Sequence, residues 1–314
     1  IFYSLSLSLP ALFILFDFTT TENVNSLFQI SLYIKIFAIL FIFFTLIYKR
    51  HLNYNISSLI IKDFLAHAKW LTLSSAYVQV FDFFDKYLIK VFLGAASLSL
   101  YSIPQQIAGK LSVISDGLIS VFIPKISSSK NKKKTFEILN SNFYGFFYFI
   151  GFFLILINPF IDELLIWWLK ENANLSIIYL FKIFLLISFY ICITHIISTF
   201  LDTQNLSKKN FQIETFILIL FIIGLIISVY YKNINFFAYT MLIRSLISFF
   251  IKAFYIRNFL MNFNILVLQN IILTLIFLFS INENIQLFYF FSFLFLLLLF
   301  FYFPKNIIKR EFLK

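Results

Sequence analysis

The sequence predicts an all-α protein, a polytopic bundle of transmembrane helices. Of its 314 residues, 61% are hydrophobic and only 12% are charged, whereas soluble domains carry roughly 25% charged residues. Its mean hydropathy is +0.93. Apolar runs of about 20 residues, the length of helix that crosses a bilayer, recur along the chain. A soluble core could not hide this much apolar surface, so lipid is the expected solvent.

About ten spans are predicted from the apolar runs between polar breaks. They cover residues 1–16, 27–48, 69–92, 98–123, 138–160, 176–201, 211–230, 235–256, 265–281 and 285–303. The first run is slightly short for a span, and no basic segment precedes it as in a signal peptide. We therefore expect the chain to begin inside a longer protein.

Basic residues collect in alternate loops, as the positive-inside rule predicts. The basic loops carry Lys49, Arg50, Lys62, Lys69, Lys125, Lys130, Lys132, Lys133, Lys134, Lys208, Lys209, Arg257, Lys305, Lys309, Arg310 and Lys314. The intervening loops carry only Lys170 and Lys232, together with six acidic residues. This alternation predicts a cytoplasmic C-terminus. It also explains the net charge of +11 without nucleic acid as a partner.

The connection between the second and third spans has amphipathic periodicity. Within residues 53–67, Ile56, Leu59, Ile60 and Phe64 share one helical face. The segment is either an interfacial helix lying on the membrane or an ordinary loop helix. An interfacial helix here would divide two spans from the eight that follow.

The third predicted span carries a polar stripe. Its members follow one another at helical spacing and are Ser75, Gln79, Asp82, Lys86 and Lys90, with Asp85 beside them. Charged residues at mid-bilayer are costly, so this face is expected to line a bundle interior or an aqueous cavity. Asp82 and Lys86 are i, i+4 partners, so the alternative is a pair that only holds helices together.

The fourth predicted span is the most polar in the chain. Its stripe contains Ser102, Gln105, Gly109, Ser112, Asp116 and Ser120, with Gln106 and Lys110 on the adjoining stripe. At about 1.5 Å per residue, Lys110 is expected near the midplane, at the depth of Asp82, where a salt bridge is possible. Pro104 removes a backbone donor and allows a kink.

Two further cations fall inside predicted spans. Arg244 shares a helical face with Ser248 and Lys252, and Lys35 lies in the second span. Arg244 is deep enough to face a cavity. Lys252 and Lys182 lie near helix ends, where snorkelling is expected, and Glu214 is expected at the interface. Cys192 and His195 are expected to be packing residues.

These charges suggest a cavity with a cationic midplane. Lys110, Arg244, Lys86 and Lys35 would attract a phosphate or pyrophosphate, with Gln79 and Gln106 as further substrate contacts. Asp82, Asp85 and Asp116 would serve as counterions or carry a coupling ion. The single cysteine, the three separated histidines and the lack of a Gly-rich phosphate loop predict no metal, cofactor or catalytic residues.

Several segments resemble one family of membrane transporters. They are AHAKWLTLSS (66–75), FDKYLIKVFLG (84–94), LYSIPQQIAGKL (100–111), SVFIPKIS (120–127), IWWL (166–169) and FLDTQNLSKK (200–209). The pattern is Asp85, then Leu93 and Gly94, Tyr101 opening the next helix and Pro124 before a basic loop. Over roughly residues 60–260 the chain resembles Wzx-type polysaccharide (O-antigen) flippases of the multidrug/oligosaccharidyl-lipid/polysaccharide exporter superfamily.

That resemblance implies two helical lobes facing each other across a central cavity. Residues 1–50 would end the first lobe, 51–68 would be the cytoplasmic amphipathic connector, and 69–260 the second six-helix lobe. Residues 261–314 would supply two extra C-terminal spans and a basic tail. The first four helices of the family's fold would then be missing from this chain.

The implied function is export of undecaprenyl-pyrophosphate-linked oligosaccharides across the bacterial inner membrane, as in lipopolysaccharide biosynthesis. The implied partners are the lipid-linked oligosaccharide, membrane lipids, and a polysaccharide polymerase and glycosyltransferases. Three alternatives stay open: another substrate of the superfamily, such as a peptidoglycan lipid precursor or a drug; a membrane polymerase or glycosyltransferase; and a structural subunit without a cavity. The excess of cations argues against a cationic drug, and the short outer loops argue against a polymerase.

Overall fold

The computed structural model describes residues 33, 36–37, 40–41, 44, 58–127, 132–170, 174–260, 263–281 and 285–302. The chain divides into two units, Ile1–Phe64 and Leu65–Lys314. In the first unit the described positions between 33 and 44 are helical, and the rings of Phe37 and Phe41 stack with centroids 6.5 Å apart.

Helices account for nearly all of the described residues. They are α1 Ser58–Leu93, α2 Ala95–Gly109, α3 Ser112–Ser127, α4 Lys132–Ile157, α5 Ile161–Leu169, α6 Leu175–Thr203, α7 Ser207–Tyr231, α8 Ile234–Tyr255, α9 Phe263–Ile281 and α10 Ile285–Tyr302. A 3-10 turn, Asn158–Phe160, joins α4 to α5, and another, Arg257–Phe259, follows α8. The all-α prediction is confirmed for this part of the chain.

Six helical segments of the described chain are long and apolar enough to cross a membrane. They are Ala95–Ser127, Thr135–Leu169, Leu175–Thr203, Ser207–Tyr231, Ile234–Tyr255 and Phe263–Ser280. Each overlaps a span predicted from the sequence. Helix α1 is longer than any of the other helices but carries Lys69, Asp82, Asp85, Lys86 and Lys90. The predicted span at residues 1–16 lies outside the described residues.

The predicted connector and the third predicted span fall on a single helix. Residues 53–57 lie outside the described part of the chain, and from Ser58 the helix continues without a break to Leu93. Gly94, with φ of 89°, reverses the chain into α2, since a left-handed backbone suits glycine. The interfacial placement of residues 53–67 stays a prediction.

The fourth predicted span is interrupted near its middle. The N–H groups of Lys110 and Leu111 donate to the carbonyls of Ile107 and Ala108 at 3.1 Å, a spacing of three residues rather than four. Pro104 lies inside α2 and is buried. The irregular backbone therefore lies beyond Pro104, directly after Gly109, because glycine is a weak helix former.

Helix α6 is the centre of the second unit. It packs against α2, α3, α4, α7, α8 and α9. Its fully buried residues include Phe184, Phe189, Tyr190 and Phe200. A helix that is apolar all round must be enclosed by other helices or by lipid, and here other helices enclose most of it.

Neighbouring helices α7 and α8 approach closely at a glycine. A Cβ added to Gly224 would lie 2.6 Å from Cγ2 of Thr240. Ser228 Oγ donates to the Gly224 carbonyl at 2.8 Å and lies 2.9 Å from Thr240 Oγ1. Small residues with short hydroxyl hydrogen bonds are typical of helix pairs in membranes.

Helix α9 is held to the bundle by polar side chains that the sequence analysis did not single out. Gln269, fully buried, exchanges hydrogen bonds with the Tyr148 hydroxyl at 3.1–3.2 Å. Tyr190 Oη lies 2.7 Å from Thr274 Oγ1, and Asn158 donates to Ser280 Oγ at 2.6 Å. This helix is thus docked along its length against α4 and α6.

We expect Gly224→Ala to lower the melting temperature of the protein in detergent, because the new methyl group would overlap Thr240. Overpacking of this kind costs about 1–3 kcal/mol, more than the roughly 1 kcal/mol gained in helix propensity. Gly145→Ala is the matched control, since its Cβ would lie farther than 4 Å from every described neighbouring atom. Adding Thr240→Ser to Gly224→Ala should restore stability, and no restoration would contradict the assigned contact.

Candidate functional site

A buried carboxylate joins α1 to α2. Asp85 and Tyr101 are both 0% exposed, and the Tyr101 hydroxyl donates to Asp85 Oδ2 at 2.8 Å. The Lys86 backbone N–H donates to Asp85 Oδ1 at 2.7 Å. The edge of the Tyr101 ring meets Phe184 of α6, with centroids 4.9 Å apart. Asp85 therefore has a donor on each oxygen, which is what a buried carboxylate requires.

A guanidinium on α8 stacks on two aromatic rings. The Arg244 Cζ lies 3.8 Å from the Phe81 ring centroid and 5.1 Å from that of Phe221. The two rings belong to α1 and α7 and meet edge to face at 5.2 Å. Desolvated cation–π contacts of this kind are worth about 2 kcal/mol. Arg244 is thus fixed where α1, α7 and α8 meet.

Three carboxylates on two helices act electrostatically on Arg244. Asp82 and Asp85 come from α1, and Glu214 comes from α7. For Asp82, the attracting charges are those of Arg244 and Lys86. These groups, with Tyr101 and the Lys252 ammonium described next, form what we name the charge cluster. Its members are Asp82, Asp85, Lys86, Tyr101, Glu214, Arg244 and Lys252.

Lys252 and Glu214 form an ion pair inside the bundle. Lys252 is 1% exposed and also donates to Ser198 Oγ at 2.7 Å. The face shared by Arg244, Ser248 and Lys252 therefore turns inward, and the prediction of a snorkelling Lys252 is wrong. Glu214 points into the bundle, and its interfacial depth stays a prediction. Distance from a helix end does not decide which way a side chain points. Lys182, also expected to snorkel, pairs with Asp162 at 2.8 Å.

Asp116 pairs with a histidine that sequence reasoning set aside. His195 Nδ1 of α6 lies 3.2 Å from Asp116 Oδ1 of α3, and their side chains are 49% and 58% exposed. The prediction that His195 is a packing residue is wrong. Cys192, one turn earlier on α6, is buried as expected. The pair of Asp116 and His195 joins α3 to α6 and leaves both side chains half exposed.

Lys110 stands apart from the charge cluster. It is exposed, and although both residues are described, Lys110 and Asp82 are not within ion-pair distance. If α1 and α2 run straight and antiparallel from the contact between Asp85 and Tyr101, Lys110 lies level with Ala76. Asp82 is then about 9 Å away in depth, and the expected salt bridge does not form.

The other residues predicted to contact the substrate differ in their exposure. Gln79 of α1 and Gln106 of α2 are exposed, and Lys86 is partly buried. Lys35 lies outside the described residues. Asp82, Lys110, Asp116, Ser120 and His195 are exposed as well, and we name these five residues and the two glutamines, which belong to α1, α2, α3 and α6, the polar face.

Polar and charged side chains are costly in the bilayer interior, so the whole polar face is not expected to point at lipid. The polar face reaches the charge cluster at Asp82, which is exposed and lies in the field of Arg244. Asp82 thus links the exposed polar residues to the charges buried within the bundle.

The pocket found in the described structure lies elsewhere. It has a volume of about 400 Å³ and is lined by Leu156, Ile157, Phe160, Glu163, Leu164 and Trp167, where α4 meets α5. None of the described candidate residues lines it. Groups of three or more His, Cys, Asp or Glu that could hold a metal are absent from the described residues.

Tyr101→Phe should destabilise the protein, because a buried carboxylate loses its side-chain donor while the ring packing on Phe184 is kept. Leaving a buried polar group unsatisfied costs about 1–3 kcal/mol. Thermal unfolding in detergent measures the loss. Tyr87→Phe is the control, since Tyr87 is 62% exposed on α1, the helix that carries Asp85. Equal melting temperatures for the two variants would contradict the role of the Tyr101 hydroxyl.

Lys252→Met should cost about 3–5 kcal/mol of unfolding free energy, because it leaves Glu214 buried without its ion-pair partner. The double variant Lys252→Met, Glu214→Gln should recover part of that loss. Asp162→Asn, which breaks the more exposed pair with Lys182, should cost less than about 1 kcal/mol. A double variant no more stable than Lys252→Met would show that the two charges are not coupled.

Comparison of the chain with protein-family models, curated proteins and solved structures gives no match. A functional assignment therefore depends on the chemistry of the charge cluster and the polar face, and on the sequence resemblance.

Proposed function

We propose that the chain is part of a flippase that exports undecaprenyl-pyrophosphate-linked oligosaccharide units for surface polysaccharide biosynthesis. The observation that carries the proposal is the set of exposed polar and charged residues that we named the polar face, whose member Asp82 lies in the field of the buried Arg244. Ionisable groups within membrane-crossing helices mark substrate and ion pathways. A structural subunit would have no use for exposed charges at these positions.

In this proposal the exposed cations receive the pyrophosphate. Lys110 follows the irregular turn between α2 and α3 and is free to move toward an anion, since it is exposed. Arg244 is held by aromatic rings and lies in the field of three carboxylates, so it acts as a fixed positive charge behind the polar face. Asp116 with His195, and Asp82 with Arg244, balance charge as the substrate passes.

The finer topology belongs to the same proposal. It has about ten spans, a connector at residues 51–68, a second lobe at 69–260 and two extra helices at 261–314. The protein would lie in the bacterial inner membrane with its C-terminus in the cytoplasm, next to a polysaccharide polymerase and glycosyltransferases. The alternation of loop charges supports this orientation.

A second candidate is export of another anionic lipid-linked substrate, such as a peptidoglycan precursor. The same cations would serve it, because the pyrophosphate is shared. A membrane polymerase or glycosyltransferase is the candidate from another class.

Lys110→Ala in the full-length protein should abolish surface polysaccharide in a host that lacks its own flippase, because the mobile cation for the pyrophosphate is gone. Immunoblots of surface polysaccharide and of the protein measure the effect. Lys209→Ala, which removes an exposed lysine distant from the polar face, is the matched control and should leave polysaccharide unchanged.

The leaflet in which lipid-linked units accumulate in the Lys110→Ala variant distinguishes a flippase from a polymerase. Lipid-linked units should accumulate in the cytoplasmic leaflet, where they are protected from added periplasmic enzymes. Units that accumulate unpolymerised in the outer leaflet would instead indicate a polymerase. Normal polysaccharide with normal protein levels for Lys110→Ala would overturn the proposed role of Lys110.

A further inference from the structure

An aromatic and basic cluster lies where α1 meets the beginning of α7. The Lys69 ammonium is 5.0 Å from the centre of the Trp70 ring, and the Lys208 ammonium is 5.8 Å from it. Phe211 packs on Trp70 at 5.2 Å and on Tyr77 at 5.1 Å. The ring is thus fixed by α7, while two cations from distant parts of the sequence lie over it.

The two cations have no acidic partner in the described structure. Lys69, Lys208 and the neighbouring Lys209 are all exposed, and no ion pair joins any of them to a described carboxylate. Asp202, at the end of α6, accepts from Asn210 at 3.3 Å. Two like charges held near one ring repel each other, so an anion placed between them would relieve that repulsion.

The cluster lies at one end of the membrane-crossing helices. Lys208 and Phe211 belong to the first turns of α7, directly after the reversal at Asn205 that follows α6. Trp167 and Trp168, both exposed, lie near the opposite end of α6, where Asp162 of α5 pairs with Lys182. Tryptophans at both ends of a bundle mark the two membrane–water interfaces.

We infer that Lys69, Trp70 and Lys208 form a binding site for the phosphate headgroup of an anionic phospholipid. The two ammonium groups contact the phosphate, and the indole packs against the glycerol and the first methylenes. Lysines near a membrane surface favour anionic lipids, by about fivefold for each cation. The site is separate from the polar face and does not depend on the transported substrate.

Fluorescence of Trp70 tests the site directly. The chain has three tryptophans, so Trp167→Phe with Trp168→Phe leaves Trp70 as the reporter. The protein is reconstituted into phosphatidylcholine vesicles that contain a minor fraction of phosphatidylglycerol, with bromine on the acyl chains of one lipid or the other. We expect brominated phosphatidylglycerol to quench Trp70 several-fold more than its mole fraction predicts.

Three matched variants separate the inference from general attraction to a charged surface. Lys69→Ala and Lys208→Ala should each reduce the preference by about fivefold. Lys209 follows Lys208 in the sequence but does not lie over the ring, so Lys209→Ala should keep most of the preference. A reporter with Trp70→Phe that retains Trp167 should show quenching in proportion to mole fraction.

Two further measurements identify the ligand chemistry. Added salt should weaken the preference, because exposed charges are screened. Inorganic phosphate should reduce the preference for phosphatidylglycerol no more than chloride does at the same ionic strength, because the site needs a phosphate carried by a lipid. Strong competition by inorganic phosphate would make the site one for free phosphate. Two results would overturn the inference. One is quenching of Trp70 in proportion to mole fraction in the protein that carries only the Trp167→Phe and Trp168→Phe changes. The other is an equal loss of lipid preference in Lys208→Ala and Lys209→Ala.

Discussion

The need to neutralise charge inside a low-dielectric bundle organises this protein. Arg244 cannot lie among apolar helices uncompensated. It stacks on the faces of Phe81 and Phe221, and the carboxylates of α1 and α7 attract it from beyond ion-pair distance. Asp85 is held by a tyrosine of α2. The charges therefore tie α1, which has few close backbone contacts, to the rest of the second unit.

Buried and exposed charges play different parts. The ion pair of Glu214 and Lys252 is enclosed by three helices and has its hydrogen-bonding capacity used within the protein. Lys110 and the pair of Asp116 and His195 are open at depths where lipid alone would be a poor solvent. Enclosed charges fix the packing of helices, whereas open ones need water, a substrate or another part of the protein. In the proposed function, the open charges are the ones that meet the transported substrate.

Hydrogen bonds between uncharged side chains hold α9 against its neighbouring helices. Gln269 with Tyr148 and Thr274 with Tyr190 bond across helix interfaces where apolar packing gives little preference over lipid. The resemblance treated residues 261–314 as additions to a complete lobe. In the described structure α9 is joined to α4 and α6 by buried polar contacts, within the unit Leu65–Lys314.

The sequence by itself determined the helices and their polar faces. Apolar run length located the helices of the second unit closely, because hydrophobic thickness limits them. Helical spacing also placed Arg244, Ser248 and Lys252 on one face. Only the tertiary structure decided which way that face turns, that His195 meets Asp116, and that Lys110 is too far in depth from Asp82. Periodicity along one helix carries no information about the neighbours across the interface, and those neighbours set partners, register and burial.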